Sequence, residues 1–238
     1  DIVIMICHIS VTLTLWILGG NLIKKAKDKP DITKNYILGI SAFMLLFGLS
    51  RVFMFYFELQ SDPFIWYLLP EETDALLNQN QNLARIYDVC WYSATALSSF
   101  AIAVLLYELE KQILQKKTKY ALTIFQVVTI TLGLILGASS ATEVGFGKYM
   151  LYISSIPILF IPIIFIYYAL KTEKKKKKRA MLSFIGFTLF LTGNALNSTL
   201  GKNISVRLWG EIGVLVNYVL YGIFSSIGMI IYNKSLVF

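Results

Sequence analysis

The chain has 238 residues, 56% of them apolar and 15% charged, with a mean hydropathy of +0.64 and a formal net charge of +8. Soluble domains run near 45–50% apolar and about 25% charged, and the apolar surplus here exceeds what a core of this size can hide. Water is the wrong solvent for it, which argues against disorder, a collagen-like fibre, a disulfide scaffold and a nucleic-acid-binding domain.

Seven stretches reach the roughly 20 apolar residues a spanning helix needs: 2–23, 36–59, 86–107, 119–138, 149–170, 180–200 and 210–232. Backbone groups must be satisfied within the bilayer, and the ten-residue alternation of a barrel is missing, so the spans are read as helices. The fold class expected is an all-α membrane protein, one seven-transmembrane-helix bundle over residues 1–238. No internal repeat divides it into two related halves.

The first stretch lacks a basic leader and a small-residue cleavage site, so it reads as a membrane helix and not a signal peptide. The chain opens on Asp1 in place of Met, so a processed or partial chain is expected. This helix offers His8 and Thr12. The second offers Arg51 and Glu58, seven apart and hence on one face. Residues 61–85 form the longest connection, with acidic Asp62, Glu71, Glu72 and Asp74 and an interfacial run from Pro63 to Tyr67. Its second part, Asp74 to Arg85, can extend the third helix outward; the loop reads as a plain interfacial connection ahead of a cap over the bundle mouth.

On the third helix Arg85, Asp88, Tyr92, Thr95 and Ser99 follow steps of 3, 4, 3 and 4, a continuous polar stripe. At about 1.5 Å per residue Arg51 lies inside the membrane and Asp88 near its boundary, which predicts an ion pair between them with Glu58 competing. The fifth helix carries Pro157 and Pro162, which can kink it. The sixth offers Asn194 and Asn197. The seventh offers Glu211, Asn217, Tyr218, Tyr221 and Ser225, with Gly213, Gly222 and Gly228 allowing close packing. Asn197, Tyr218 and His8 read as ordinary helix-to-helix hydrogen bonds. Asn197 and Asn203 also match glycosylation acceptors.

Orientation follows from the basic residues. Seventeen of the 22 Lys and Arg fall in the connections 24–34, 111–119 and 171–179 and at Lys234, against Arg85, Lys148, Lys202 and Arg207 on the other side. With seven helices this predicts an outside N-terminus and a cytoplasmic C-terminus in the cell membrane. The run Lys174 to Arg179 is a candidate for anionic lipid.

This layout resembles that of microbial rhodopsins and of prokaryotic seven-helix sensor domains. Arg85-Ile86-Tyr87-Asp88 is similar to the arginine and counterion spacing of the rhodopsins, and Val219 to Ile231 is similar in texture to their last helix. The resemblance implies a retinal Schiff base on a lysine within the seventh helix. That lysine is missing: Ser225 stands in the region, and Lys234 lies at the helix end. The departure argues against covalent retinal, and no cofactor is expected.

Enzyme readings fail on residue supply. One histidine cannot build a haem pair or a zinc hydrolase site, and GxSxG, HExxH, P-loop and dinucleotide fingerprints are missing. No catalytic residue and no metal ligand is expected. Intramembrane polar groups mark functional sites by default. The reading is therefore a receptor or sensor that binds a small ligand in an outer-half cavity through Arg51, Asp88, Tyr92, Asn194, Asn217 and Tyr221. Glu58, Arg85, Thr95 and Glu211 complete the polar network. Its expected surroundings are the bilayer and a cytoplasmic signalling partner, with no nucleic acid. A solute or ion transporter and a structural subunit of a membrane complex are the alternatives. The apolar inner halves of the third and fifth helices, Ile102 to Leu106 and Phe160 to Ile166, favour a closed pocket over a pathway.

Overall fold

The computed structural model describes residues 2–60, 70–139 and 146–236. Ten α-helices run through them: α1 (Ile2–Ala26), α2 (Asp31–Glu58), α3 (Pro70–Gln79), α4 (Gln81–Gln112), α5 (Ala121–Ser139), α6 (Phe146–Ile153), α7 (Phe160–Lys171), α8 (Lys174–Leu196), α9 (Thr199–Trp209) and α10 (Gly213–Ser235). Six segments are long and apolar enough to cross a bilayer: α1, α2, α4, α6 with α7, α8 and α10. They mark the chain as a multi-pass integral membrane protein.

The stretch expected as the fourth span is α5, whose apolar part among the described residues is Ala121–Gly137. Its start is set by the turn before it, where Gln115, Lys116, Lys119 and Tyr120 all have φ between 49° and 62°. Such left-handed backbone cannot continue a helix of L-residues, so α5 begins two residues later than its apolar run. Glu110, fully buried at the end of α4, caps it. The carboxylate accepts from the backbone N–H groups of Leu122 (3.2 Å) and Thr123 (3.0 Å) and from the Thr123 hydroxyl (2.6 Å). These are donors that a helix start leaves without intrahelical partners.

The helices close into a ring. α1 packs on α2 and α10, α2 on α4, α4 on α5, α5 on α6, α7 on α8, and α8 on α10. α1 shows why a bilayer suits this ring. Ile4, His8, Val11, Leu15, Gly19 and Leu22 face the interior at helical spacing, while Ile2, Ile6, Leu13 and Ile17 are equally apolar and face outward. α8 and α10 approach closely, a Cβ on Gly186 standing 2.7 Å from the Gly228 carbonyl oxygen and 2.5 Å from the Tyr232 backbone nitrogen.

At the centre lies a layer of four buried phenylalanines, Phe43 and Phe47 from α2 and Phe187 and Phe190 from α8. Their ring centroids are 5.2 to 6.1 Å apart, in tilted and edge-on arrangements favoured by ring quadrupoles. The layer lies midway along α2 and α8, between the basic connections and the opposite, or far, end.

The segment expected to kink does so. α6 ends at Ile153, a 3₁₀ turn with Pro157 near its start covers Ile156–Leu159, and α7 begins at Phe160. Pro162 falls in the first turn of α7, where its missing N–H is least costly. The break is tied to its neighbours by side chains: the Ser154 and Ser99 hydroxyls are 2.9 Å apart, and Gln126 on α5 donates to the Ser99 carbonyl at 3.2 Å.

Candidate functional site

Far-end polar groups converge from four helices. Arg51 sits seven residues before the end of α2, about 10 Å along the axis at 1.5 Å per residue. Its Nη2 donates to the side-chain carbonyl of Asn194 on α8. The orientation of that amide is set by its other end, since Asn194 Nδ2 donates to the Phe190 carbonyl one turn earlier at 2.8 Å. The guanidinium carbon stands 4.9 Å from the centre of the Phe47 ring and 6.0 Å from that of Tyr221, within the range of cation–π attraction. Arg51 Nε has no hydrogen-bond partner among the described residues, and neither has the Tyr221 hydroxyl.

His8, on α1, is buried with its ring centroid 5.0 Å from Tyr221 and 5.4 Å from Tyr218. Together with Thr12, Trp16, Arg51 and Phe55 it lines a cavity of about 140 Å³ between α1 and α2. Histidine is the only titratable imidazole in the chain. Reading it as a mere packing group misses that it shares a cavity with the arginine.

Asn217 holds the scaffold around this cluster. It is fully buried, donates to the Leu196 carbonyl at 2.5 Å and accepts from the Ser205 hydroxyl at 3.0 Å. Leu196 is the last residue of α8, so this bond satisfies a carbonyl left open by the helix end. Asn217 thereby joins α8, α9 and α10. α9 itself lies in a stretch the sequence reads as part of a span and a connection, and it is turned back on α8 at Gly201, where a Cβ would meet the Leu196 carbonyl oxygen at 2.3 Å.

α9 brings Lys202 to the far end. Its Nζ is 5.2 Å from the centre of the Tyr218 ring and it interacts electrostatically with Glu58. Burial pulls the Lys202 ammonium down from 10.5 to about 8, and Glu58, opposing burial, favours the charged form. Glu58, 2% exposed, thus interacts with the α9 lysine.

The third-span stripe separates from this group. Arg85 is exposed and Asp88 half-buried, with an interaction of its own. The bond that Arg51 makes is the one to Asn194, in place of the ion pair expected with Asp88. Tyr92 turns toward α5, where a Cβ on Gly137 would touch its ring at 2.6 Å, and it meets the Trp91 ring at 5.2 Å. Thr95 accepts through its carbonyl from Ser98 at 3.0 Å, and Ser99 joins the Ser154 and Gln126 contacts. Tyr92 and Ser99 of this stripe thus face the α5 and α6 side.

The Glu211 side chain and the aromatic run Pro63 to Tyr67 lie outside the described residues. The extension expected between Asp74 and Arg85 is a separate helix, α3, broken from α4 at Asn80, whose side chain accepts from the Leu83 N–H at 3.1 Å. Leu76 and Leu77 of α3 pack against the cluster of Phe57, Leu83 and Cys90. Among the described residues no three His, Cys, Asp or Glu side chains come together to hold a metal ion. No protein-family model, no curated protein and no solved structure matches the chain.

Proposed function

We propose that the chain is a cell-membrane receptor or sensor with seven spans, α5 being the seventh, its N-terminus outside and its C-terminus cytoplasmic. The 17 basic residues at one end support that orientation. The ligand is small, polar and negatively charged, held by Arg51, Asn194 and His8 with the Tyr221 hydroxyl in reserve. One observation carries this reading: an intramembrane arginine, with Nε lacking a partner among the described residues, borders a cavity that it shares with the buried His8. The break at Pro157 supplies the element that moves, and the signal passes to a cytoplasmic partner. No catalytic step is proposed.

The test is a thermal-shift screen of small carboxylates, phosphates and sulfates on the purified chain and on Arg51→Gln. Stabilisation of the parent chain alone supports the reading. Equal shifts in both proteins, or none in either, sink it.

A transporter is the second reading, favoured by one observation: a cavity exists on each side of the phenylalanine layer. Saturable flux of the same compounds into reconstituted vesicles would establish it over the receptor.

A further inference from the structure

The larger cavity, about 250 Å³, lies at the basic end where α2, α4, α7, α8 and α10 meet. Its lining is amphiphilic. Lys176 and Arg179, three apart and so on one face of α8, supply the charge. Hydroxyls come from Tyr36, Tyr168, Ser183 and Ser235, and Ile113, Phe165 and Leu236 form apolar walls. Among the described residues no Asp or Glu belongs to the lining. Glu108, on α4, is hydrogen-bonded to Gln112 and lies against Gly39 of α2. Burial leaves Ser183 and Ser235 each 4% exposed, with their hydroxyls 2.6 Å apart at the floor.

We infer that this cavity binds a phosphate ester anion, independently of the far-end site proposed above. The volume falls just below the ~300 Å³ at which pockets for drug-sized ligands begin, which suits a headgroup. Arg179 offers a planar donor fork matched to phosphate oxygens. The apolar walls accommodate whatever the ester is attached to. Lys177 and Lys178, in the same basic run, are exposed and line nothing here. The cavity, not the run as a whole, is the site.

Two sources carry this chemistry, an anionic phospholipid and a soluble phosphate monoester. The full chain, in zwitterionic detergent, is titrated with dioleoylphosphatidylglycerol in one arm and glycerol 3-phosphate in the other, and bound ligand is counted by native mass spectrometry. One saturable ligand is expected. Arg179→Gln is expected to weaken it about tenfold, the loss of one charge-assisted bond. Ala180→Leu, which fills the cavity and leaves every charge in place, is expected to abolish it. Arg179→Lys retains part of the affinity and serves as the folded control, together with unchanged thermal midpoints. Binding in the first arm alone assigns the phosphate to a lipid; competition by glycerol 3-phosphate assigns it to a soluble ester. Equal weakening by Arg179→Gln and Lys177→Gln, or full affinity in Ala180→Leu, would overturn the site.

Discussion

Arg51 on α2 donates to the side-chain carbonyl of Asn194 on α8, a bond that joins two helices 143 residues apart in sequence and across the ring from each other. Removing the acceptor strands a partly buried charge, whereas removing both partners does not. Asn194→Leu is expected to destabilise the chain by about 2 kcal/mol, and the double variant with Arg51→Met to recover part of that loss. Detergent-titration unfolding of the four proteins in a cycle measures the coupling. Strict additivity would show that the bond contributes nothing.

The glycines of α8 and α10 are expected to respond differently from those of α1. A methyl on Gly186 meets two backbone atoms of α10, at 2.5 and 2.7 Å, and backbone cannot step aside as a side chain can. Gly186→Ala should therefore force the two helices apart and cost about 1–3 kcal/mol. Gly20 in α1 has nothing within 4 Å of such a methyl, so Gly20→Ala should be neutral or stabilise by about 0.5–1 kcal/mol through helix propensity. Thermal midpoints of the two variants in one detergent separate the cases.

Lys202 makes stability depend on pH in a defined window. Its folded value of about 8 lies below the free value of 10.5, so between those values the unfolded chain binds more protons than the folded one. Stability then rises with pH across that window. Below pH 8 both states are protonated and the penalty of burying the ammonium is present in full. The thermal midpoint is expected to climb from pH 8 to pH 10 relative to Lys202→Met, in which the climb should vanish. A parallel profile in the two proteins would show that the lysine is not desolvated by folding.

Gln126 tests the knot at the helix break. Its Nε2 donates to the Ser99 carbonyl, while Oε1 has no partner among the described residues although the side chain is fully buried. An unsatisfied buried acceptor costs about 1–3 kcal/mol, which offsets the bond at the other end of the amide. Gln126→Leu is expected to leave the unfolding midpoint within about 1 kcal/mol of the parent chain. A much larger loss would show that Oε1 is satisfied through water.

Apolar runs made the spans legible, because a helix in lipid must be apolar on its outward face as well as its inward one. The start of α5 was not legible, because the left-handed backbone at Lys119 and Tyr120, which hydropathy does not register, sets it at Ala121. α9 was missed for the opposite reason: Ser205 and Gly201 face inward while Ile204 and Leu208 face outward, so no continuous apolar run announces it. The signal available was Ser198, whose hydroxyl accepts from the Gly201 N–H at 3.2 Å, a capping pattern readable three residues ahead. Arg51 and Asn194 were legible one by one as intramembrane polar groups. Their pairing was not, since spacing along one helix says nothing about which helix lies across the ring. Lys202, counted only as a charge that orients the chain, gained its second role from the turn at Gly201.

The phenylalanine layer has a mechanical consequence. Four interlocked rings couple α2 to α8 midway between the Arg51–Asn194 bond and the basic-end cavity, and both helices contribute to each of those places. A shift of either helix at one end is therefore passed through the rings to its partner at the other.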